Sequence, residues 1–292
     1  MADPLSVVVT RGDVIEARHR VHAVAVRDGH TVASAGNAHL LTFLRSSAKP
    51  VQALPLARER PDLDDRSIAI ACASHLARPD QIEAVQTLLA AAPAGEEELE
   101  TGMEPSPIEH NCSGKHAGFL ALCRVRGWDS AGYSLPAHPL QRLLLLEVAA
   151  AAEVSPAAIV QGVDGCGVPT FALSLDRCAH LFGRLPALDG GQRVTAAMRA
   201  HPELLRGPVA ADALLVQVLD GWVAKGGAEG LFCAAAPDGL GVALKVEDGA
   251  FRAIRPALAA FLRGLGIEPG ELGVVTVENS RGEIVGAVRE GP

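Results

Sequence analysis

The chain has 292 residues, 49% of them hydrophobic, with a formal net charge of −8 and a pI near 5.7. A chain of this length and composition can bury a substantial core. Its acidic balance, without any run of basic residues, excludes a nucleic-acid or anionic-membrane surface and favours small-molecule partners. The N-terminal MADPLSVVVTRGD has no basic region ahead of an apolar stretch. The apolar run 143-LLLLEVAAAAEV-154 carries a charge and is too short to cross a bilayer, so no membrane association is expected. Six cysteines in a chain of this kind point to reduced thiols and a cytoplasmic location rather than a disulfide framework.

In chain order, 5-LSVVVT-10, 14-VIEARHRVHAVAVR-27 and 31-TVASA-35 read as strands, with Asp28-Gly29 as a hairpin turn. Apolar residues at helical spacing predict helices in 80–92, 113–127, 137–153, 170–185 and 208–226. The run 70-IACASH-75 reads as strand-like, ending at Ser74. Strands return at 240-LGVALKVEDG-249 and 272-LGVVTVENSRGEIVGAV-288, separated by a helix near 255–266. Strands at both ends around a helical middle predict an α+β fold, one antiparallel sheet built from both termini and backed by helices, as a single domain over 1–292.

Lysine usage directs attention to particular residues. The chain has 22 arginines and only four lysines, at 49, 115, 225 and 245. Arginine stays charged, whereas a desolvated lysine can become a base, so a scarce lysine marks a position where an amine is wanted. Ser46 and Lys49 stand three apart; on one helical face the amine reaches the hydroxyl, as a Ser-Lys nucleophile requires. A plain reading, with Ser46 capping a helix and Lys49 solvated, competes on spacing alone. The segment 109-EHNCSGKHAGF-119 carries Cys112, Lys115 and His116, and the glycine-rich 161-QGVDGCGVP-169 carries Asp164 and Cys166. A thiolate from each could share a zinc ion with Lys115, His116, Asp164 or water; two buried cysteines without metal, or a disulfide, are the alternatives. Lys245 alternates with Val242, Leu244 and Val246 in a strand, and Lys225 before Gly226-Gly227 reads as a helix C-terminal charge.

The ordered segments RSSAKPVQALPL, CASH, HNCSGKHAGF, DGCGVPTFAL, KGGAEG and GVALKVEDG resemble the asparaginase II family of rhizobial, thermolabile type across nearly the whole chain. The resemblance implies a fold like that of serine β-lactamases and penicillin-binding proteins, an L-asparagine amidohydrolase, a neighbouring zinc and a homodimer. It assigns Ser46 as nucleophile, Lys49 as its base, Ser74 and Lys245 as a second pair, and Cys112, Lys115 and Cys166 as zinc ligands. Arg45, His116 and Asp164 would contact substrate. Leu76-Ala77-Arg78 departs from the family, where a small polar residue, Gly and Glu usually follow the Ser-His. That departure leaves two other readings open: a β-lactamase-like hydrolase of a different amide, and a catalytically silent zinc or amino-acid binding protein. The S-D-N and K-T-G motifs of β-lactamases are absent.

Overall fold

The computed structural model describes residues 3–102 and 106–292. Both chain ends enter one antiparallel sheet, as the sequence predicts. Its strands are β1 (Leu5–Arg11), β2 (Val14–Arg27), β3 (His30–Ala35), β7 (Val223–Gly226), β8 (Leu231–Ala235), β9 (Gly241–Val246), β10 (Val275–Glu278) and β11 (Ile284–Glu290), with β4 to β6 in a second sheet described below. The main path runs β10-β11-β1-β2-β9-β8-β7, and β3 pairs with β2. Antiparallel pairing of β1 with β11, from Val7 opposite Glu290 to Arg11 opposite Gly286, joins the two ends of the chain. The Asp28-Gly29 turn has positive φ at both residues, 51° and 77°, the left-handed pair that matches the twist of a two-residue hairpin.

Alternation along the strands gives the sheet two apolar faces. One face, with Val24, Cys233 and Ala243, closes over the central helices through Ile68, Leu120 and Leu181. The other, with Val21, Phe232 and Leu244, is covered by the helix Ile254–Gly264 through Leu258 and Leu262. Each such leucine, removed fully from water, contributes about 1.5–3 kcal/mol before entropic costs. Among the described residues, no helix is long and apolar enough to cross a membrane.

A three-stranded sheet in order β4-β6-β5 is formed by β4 (Leu41–Phe43), β5 (Val160–Val163) and β6 (Pro169–Ser174). This corrects the helix predicted over 170–185: residues 169–174 are a strand and the helix is Leu175–Arg184. Thr170 to Leu173 are buried all round, and periodicity alone does not separate such a run from a buried helix turn. The helix predicted over 208–226 is likewise shorter, Ala211–Val218, and Lys225 lies in β7. The run 70-IACASH-75 is no strand; it follows the helix Asp65–Ala71, whose Asp64 cap accepts from the Ser67 amide.

Candidate active site

Strand β4 delivers the first element of the site. The Leu44 amide donates to Phe171 O and the Arg45 amide to Thr170 Oγ1, so the chain leaves the small sheet pinned to β6. Arg45 then adopts φ 48°, a left-handed conformation that costs a non-glycine residue on the order of 1 kcal/mol or more. This sharp turn starts a tight helical segment, Arg45–Ala48, continued by Lys49–Gln52, in which the Lys49 amide donates to Ser46 O. Pro50 does not break it, because it sits in the first turn, where no amide partner is lost.

Within that turn the two serines separate by role. Ser47 is fully buried and its Oγ donates to Lys225 O at 2.8 Å, tying the turn to β7. Gly227 permits this approach: a Cβ there would lie 2.7 Å from Leu44 O and 2.9 Å from Ser47 Oγ. Ser46 is only half-buried, and its hydroxyl has no such tie among the described residues. Lys49 is buried at 1% exposure, and its Nζ donates to Ser74 Oγ at 3.0 Å, to Ala73 O, and to Asn111 O at 3.5 Å. Burial lowers its pKa from the ordinary lysine value, against the opposing pull of the Cys112 sulfur. Asn111, whose carbonyl meets this amine, is exposed.

The second element is the start of the helix Ser113–Arg126. Its Gly114 lets it lie on the end of Asp65–Ala71, since a Cβ would come 2.2 Å from Ile70 O. Cys112 and Lys115 project from this end, and the β5-β6 loop brings Cys166 to them. Lys115 Nζ lies 3.0 Å from Cys166 Sγ, and Cys112 Sγ lies 3.0 Å from Asn111 Oδ1. The neighbouring Cys166 holds the Cys112 thiol well below the usual range, and the same contact together with burial pushes Cys166 up. Burial opposes the charge on Lys115, yet Cys166 and Cys112 raise its pKa above the ordinary value.

Asp164, which helps keep Lys115 charged, is bonded to the turn before Ser46. Its Oδ1 accepts from Arg45 Nε at 2.6 Å and from the Gly165 amide at 2.8 Å, locking the loop to the turn before Ser46. His116, expected to line the pocket, lies inside the protein. It is fully buried, bonded through Nδ1 to Tyr133 OH at 2.7 Å, with burial holding it well below the usual imidazole range and Nε2 without a partner among the described residues. Ser74 joins the Lys49 cluster, and its amide donates to Leu205 O at 2.7 Å.

Lys245 does not join it. Its amine is partly exposed and donates to Glu229 O and Val246 O, both at 2.6 Å, because the β9 register opposite His22 and Leu231 turns it toward that loop. Lys225 is the lysine that approaches. It is fully buried in β7, its carbonyl holds Ser47, and its Nζ faces Asp212 Oδ2 at 3.5 Å and Gly226 O at 2.9 Å. Burial brings its pKa to about 8, with repulsion from Lys49 contributing. Reading 222-WVAKGGAEG-230 as a helix end hides this; the three apolar residues Trp222, Val223 and Ala224 ahead of a Lys-Gly-Gly turn are the available strand signal. Asn111 and His110, whose Nδ1 accepts from the Cys112 amide at 3.1 Å, were also missed.

The departing segment follows Ser74 and His75 directly in the chain. Leu76 is exposed, Ala77 has φ 55°, a glycine-like conformation, and Arg78 Nη2 donates to Asp80 and to Glu203 O.

As to metal, the described residues contain no group of three or more His, Cys, Asp and Glu side chains. The Cys112, Cys166 and Lys115 trio is a different donor set, two sulfurs and one amine. The set would suit zinc, with one position left open, only once Lys115, whose pKa is raised, and the two thiols give up their protons.

The sequence profile of the L-asparaginase II family matches residues 7–290. No curated protein matches the chain. Similar solved structures include a protein described as a candidate beta-lactamase from Bacteroides dorei DSM 17855, at 10% identity and a TM-score of 0.46, covering 83% of this chain and 93% of that one. Another is the octameric penicillin-binding protein homologue from Pyrococcus abyssi, at 11% identity and a TM-score of 0.41, covering 86% of this chain and 74% of that one. With the profile spanning almost every residue from β1 to β11, the chain belongs to the L-asparaginase II family.

Proposed function

We propose that the protein hydrolyses the side-chain amide of L-asparagine to aspartate and ammonia, with Ser46 as nucleophile and Lys49 as its base. Family membership supports the reaction class. The observation that carries the residue roles is the wholly buried Lys49 amine, three residues from a half-buried hydroxyl free of structural ties and 3.0 Å from a second serine. Neutral Lys49 takes the Ser46 proton as Oγ bonds to the carboxamide carbon. The C–N bond then breaks, and the proton held by Lys49 leaves on ammonia. Water, giving a proton to Lys49, splits the resulting ester, and that proton returns to Ser46 Oγ. Ser74 relays protons at the amine. Arg45, fixed by Asp164, presents positive charge to the substrate carboxylate.

Cys112, Cys166 and Lys115 would hold a zinc ion in this reading. When bound, zinc supplies positive charge that orients substrate in the pocket. The chain's own residues carry the proton transfers.

Ser46→Ala should abolish ammonia release from L-asparagine with an unchanged Tm. Ser47→Ala, which cuts the tie to Lys225 O, should lower Tm and keep most of the activity. Equal loss of activity in the two, or full activity in Ser46→Ala, rejects the assignment.

A further inference from the structure

A cavity of about 220 Å³ lies on the sheet face opposite the central helices, between β7, β8 and the start of the helix Ile254–Gly264. Its wall carries three guanidinium groups, Arg206, Arg252 and Arg255, around an apolar floor of Phe232, Phe251 and Ile254. In a chain of net charge −8 such a grouping runs against the overall balance. None of their direct partners is a carboxylate, and the His19 ring that Arg252 meets is held in turn by Asp248 Oδ2 at 2.6 Å from its Nδ1. Arg252 Nε donates to His19 Nε2 at 3.0 Å, Arg255 Nη2 to Glu271 O at 3.0 Å, and Arg206 stacks on the Phe251 ring at 4.9 Å. Among the described residues, no carboxylate comes within ion-pair distance of any of the three, whereas 13 other arginines have one. Arg255 Nε is buried without a hydrogen-bond partner among the described residues. A buried donor in that state is unfavourable, and an acceptor entering the cavity would satisfy it. Asp212, which also lines the cavity, is buried, and its Oδ2 is turned toward Lys225 Nζ and the Gly226 amide rather than to any of the three arginines.

We propose that this cavity is a binding site for a small dicarboxylate. Guanidinium groups match carboxylates in planar, paired hydrogen bonds, and three of them suit two carboxylates better than one. The volume is below the ~300 Å³ at which pockets for drug-sized ligands begin, which fits a chain of few carbons lying on Phe232, Phe251 and Ile254. The site lies apart from Ser46, Lys49 and Ser74, none of which lines it. It is joined to them through the backbone, because Arg206 follows Leu205, whose carbonyl accepts from the Ser74 amide.

Succinate is the probe, since it lacks the amino group that an asparagine pocket would select. Its binding to the purified full chain is measured by titration calorimetry and by the rise in Tm, with inorganic phosphate in parallel. Wild type should bind succinate saturably. Arg206→Gln and Arg255→Gln, each checked for an unchanged Tm without ligand, should weaken binding roughly 10-fold or more, the loss typical of one charge-assisted hydrogen bond. Ser46→Ala should bind succinate as wild type does. No saturable binding, or binding indifferent to both arginine variants, overturns the proposal. Binding lost in Ser46→Ala would move succinate to the catalytic cleft and overturn it as well. Equal binding of phosphate would overturn the dicarboxylate class. None of these readouts uses ammonia release, so the result stands apart from the asparaginase reading.

Discussion

At the scale of single residues, the four lysines occupy four different environments, and chemistry follows environment rather than scarcity. Lys49 is wholly buried against Ser74 Oγ; Lys115 meets the Cys166 sulfur; Lys225 in β7 pairs with Asp212; Lys245 reaches two carbonyls at a loop edge. Only a buried amine whose pKa is lowered can accept a proton near neutral pH. Lys49→Arg keeps charge and removes that capacity, so kcat for ammonia release should fall about 10²-fold or more. Lys245→Arg keeps a donor for Glu229 O and Val246 O and should stay within about twofold of wild type, the small effect expected of a surface change. Steady-state rates of the two variants side by side check this; comparable losses would return Lys245 to the catalytic group.

At the scale of elements, the site is a junction of three segments that are distant in sequence. The β4 turn brings Ser46 and Lys49, the start of the helix Ser113–Arg126 brings Cys112 and Lys115, and the β5-β6 loop brings Cys166. A metal held by the last two would staple a hairpin loop to a helix end, and a ligand bound only by the folded state adds stability. Protein purified with zinc supplied should therefore carry about one zinc per chain. Cys166→Ala should lose that zinc, and a chelator should lower the Tm of wild type but not of the variant. Elemental analysis with thermal melts tests the idea, and metal retained in Cys166→Ala would sink it.

At the scale of the molecule, the main sheet holds a buried charge whose cost depends on pH. Lys225 titrates at about 8 in the folded protein, below the usual 10.5, because burial disfavours its charged form. Below pH 8 the amine is charged in both states and the cost of burying it is fully present. Between pH 8 and 10.5 the unfolded chain binds the proton more tightly, so this contribution makes stability rise with pH. The double variant Lys225→Met with Asp212→Asn removes both members of the pair and should lack that contribution. Plotted as the difference in Tm between wild type and double variant, stability should shift toward wild type from pH 8 to 10; a flat difference would reject the assigned titration.

Local pattern and composition determined much of this protein. The Asp28-Gly29 hairpin, the alternating β-rich ends and the amphipathic helices around 80–92, 113–127 and 137–153 are encoded by neighbours in sequence, and they appear where periodicity predicts them. The Ser46-Lys49 spacing was legible for the same reason, since both residues sit on one turn. Burial on both faces erased the period of β6 and β7, so 169–174 and 223–226 read as helix until pairing with β4, β5 and β8 decided otherwise. Only that pairing could distinguish Lys225 from Lys245. A lysine's value as a base depends on desolvation by residues remote in the chain, and strand register, which turns Lys225 into a closed slot and Lys245 toward the Glu229 loop, supplies or withholds it.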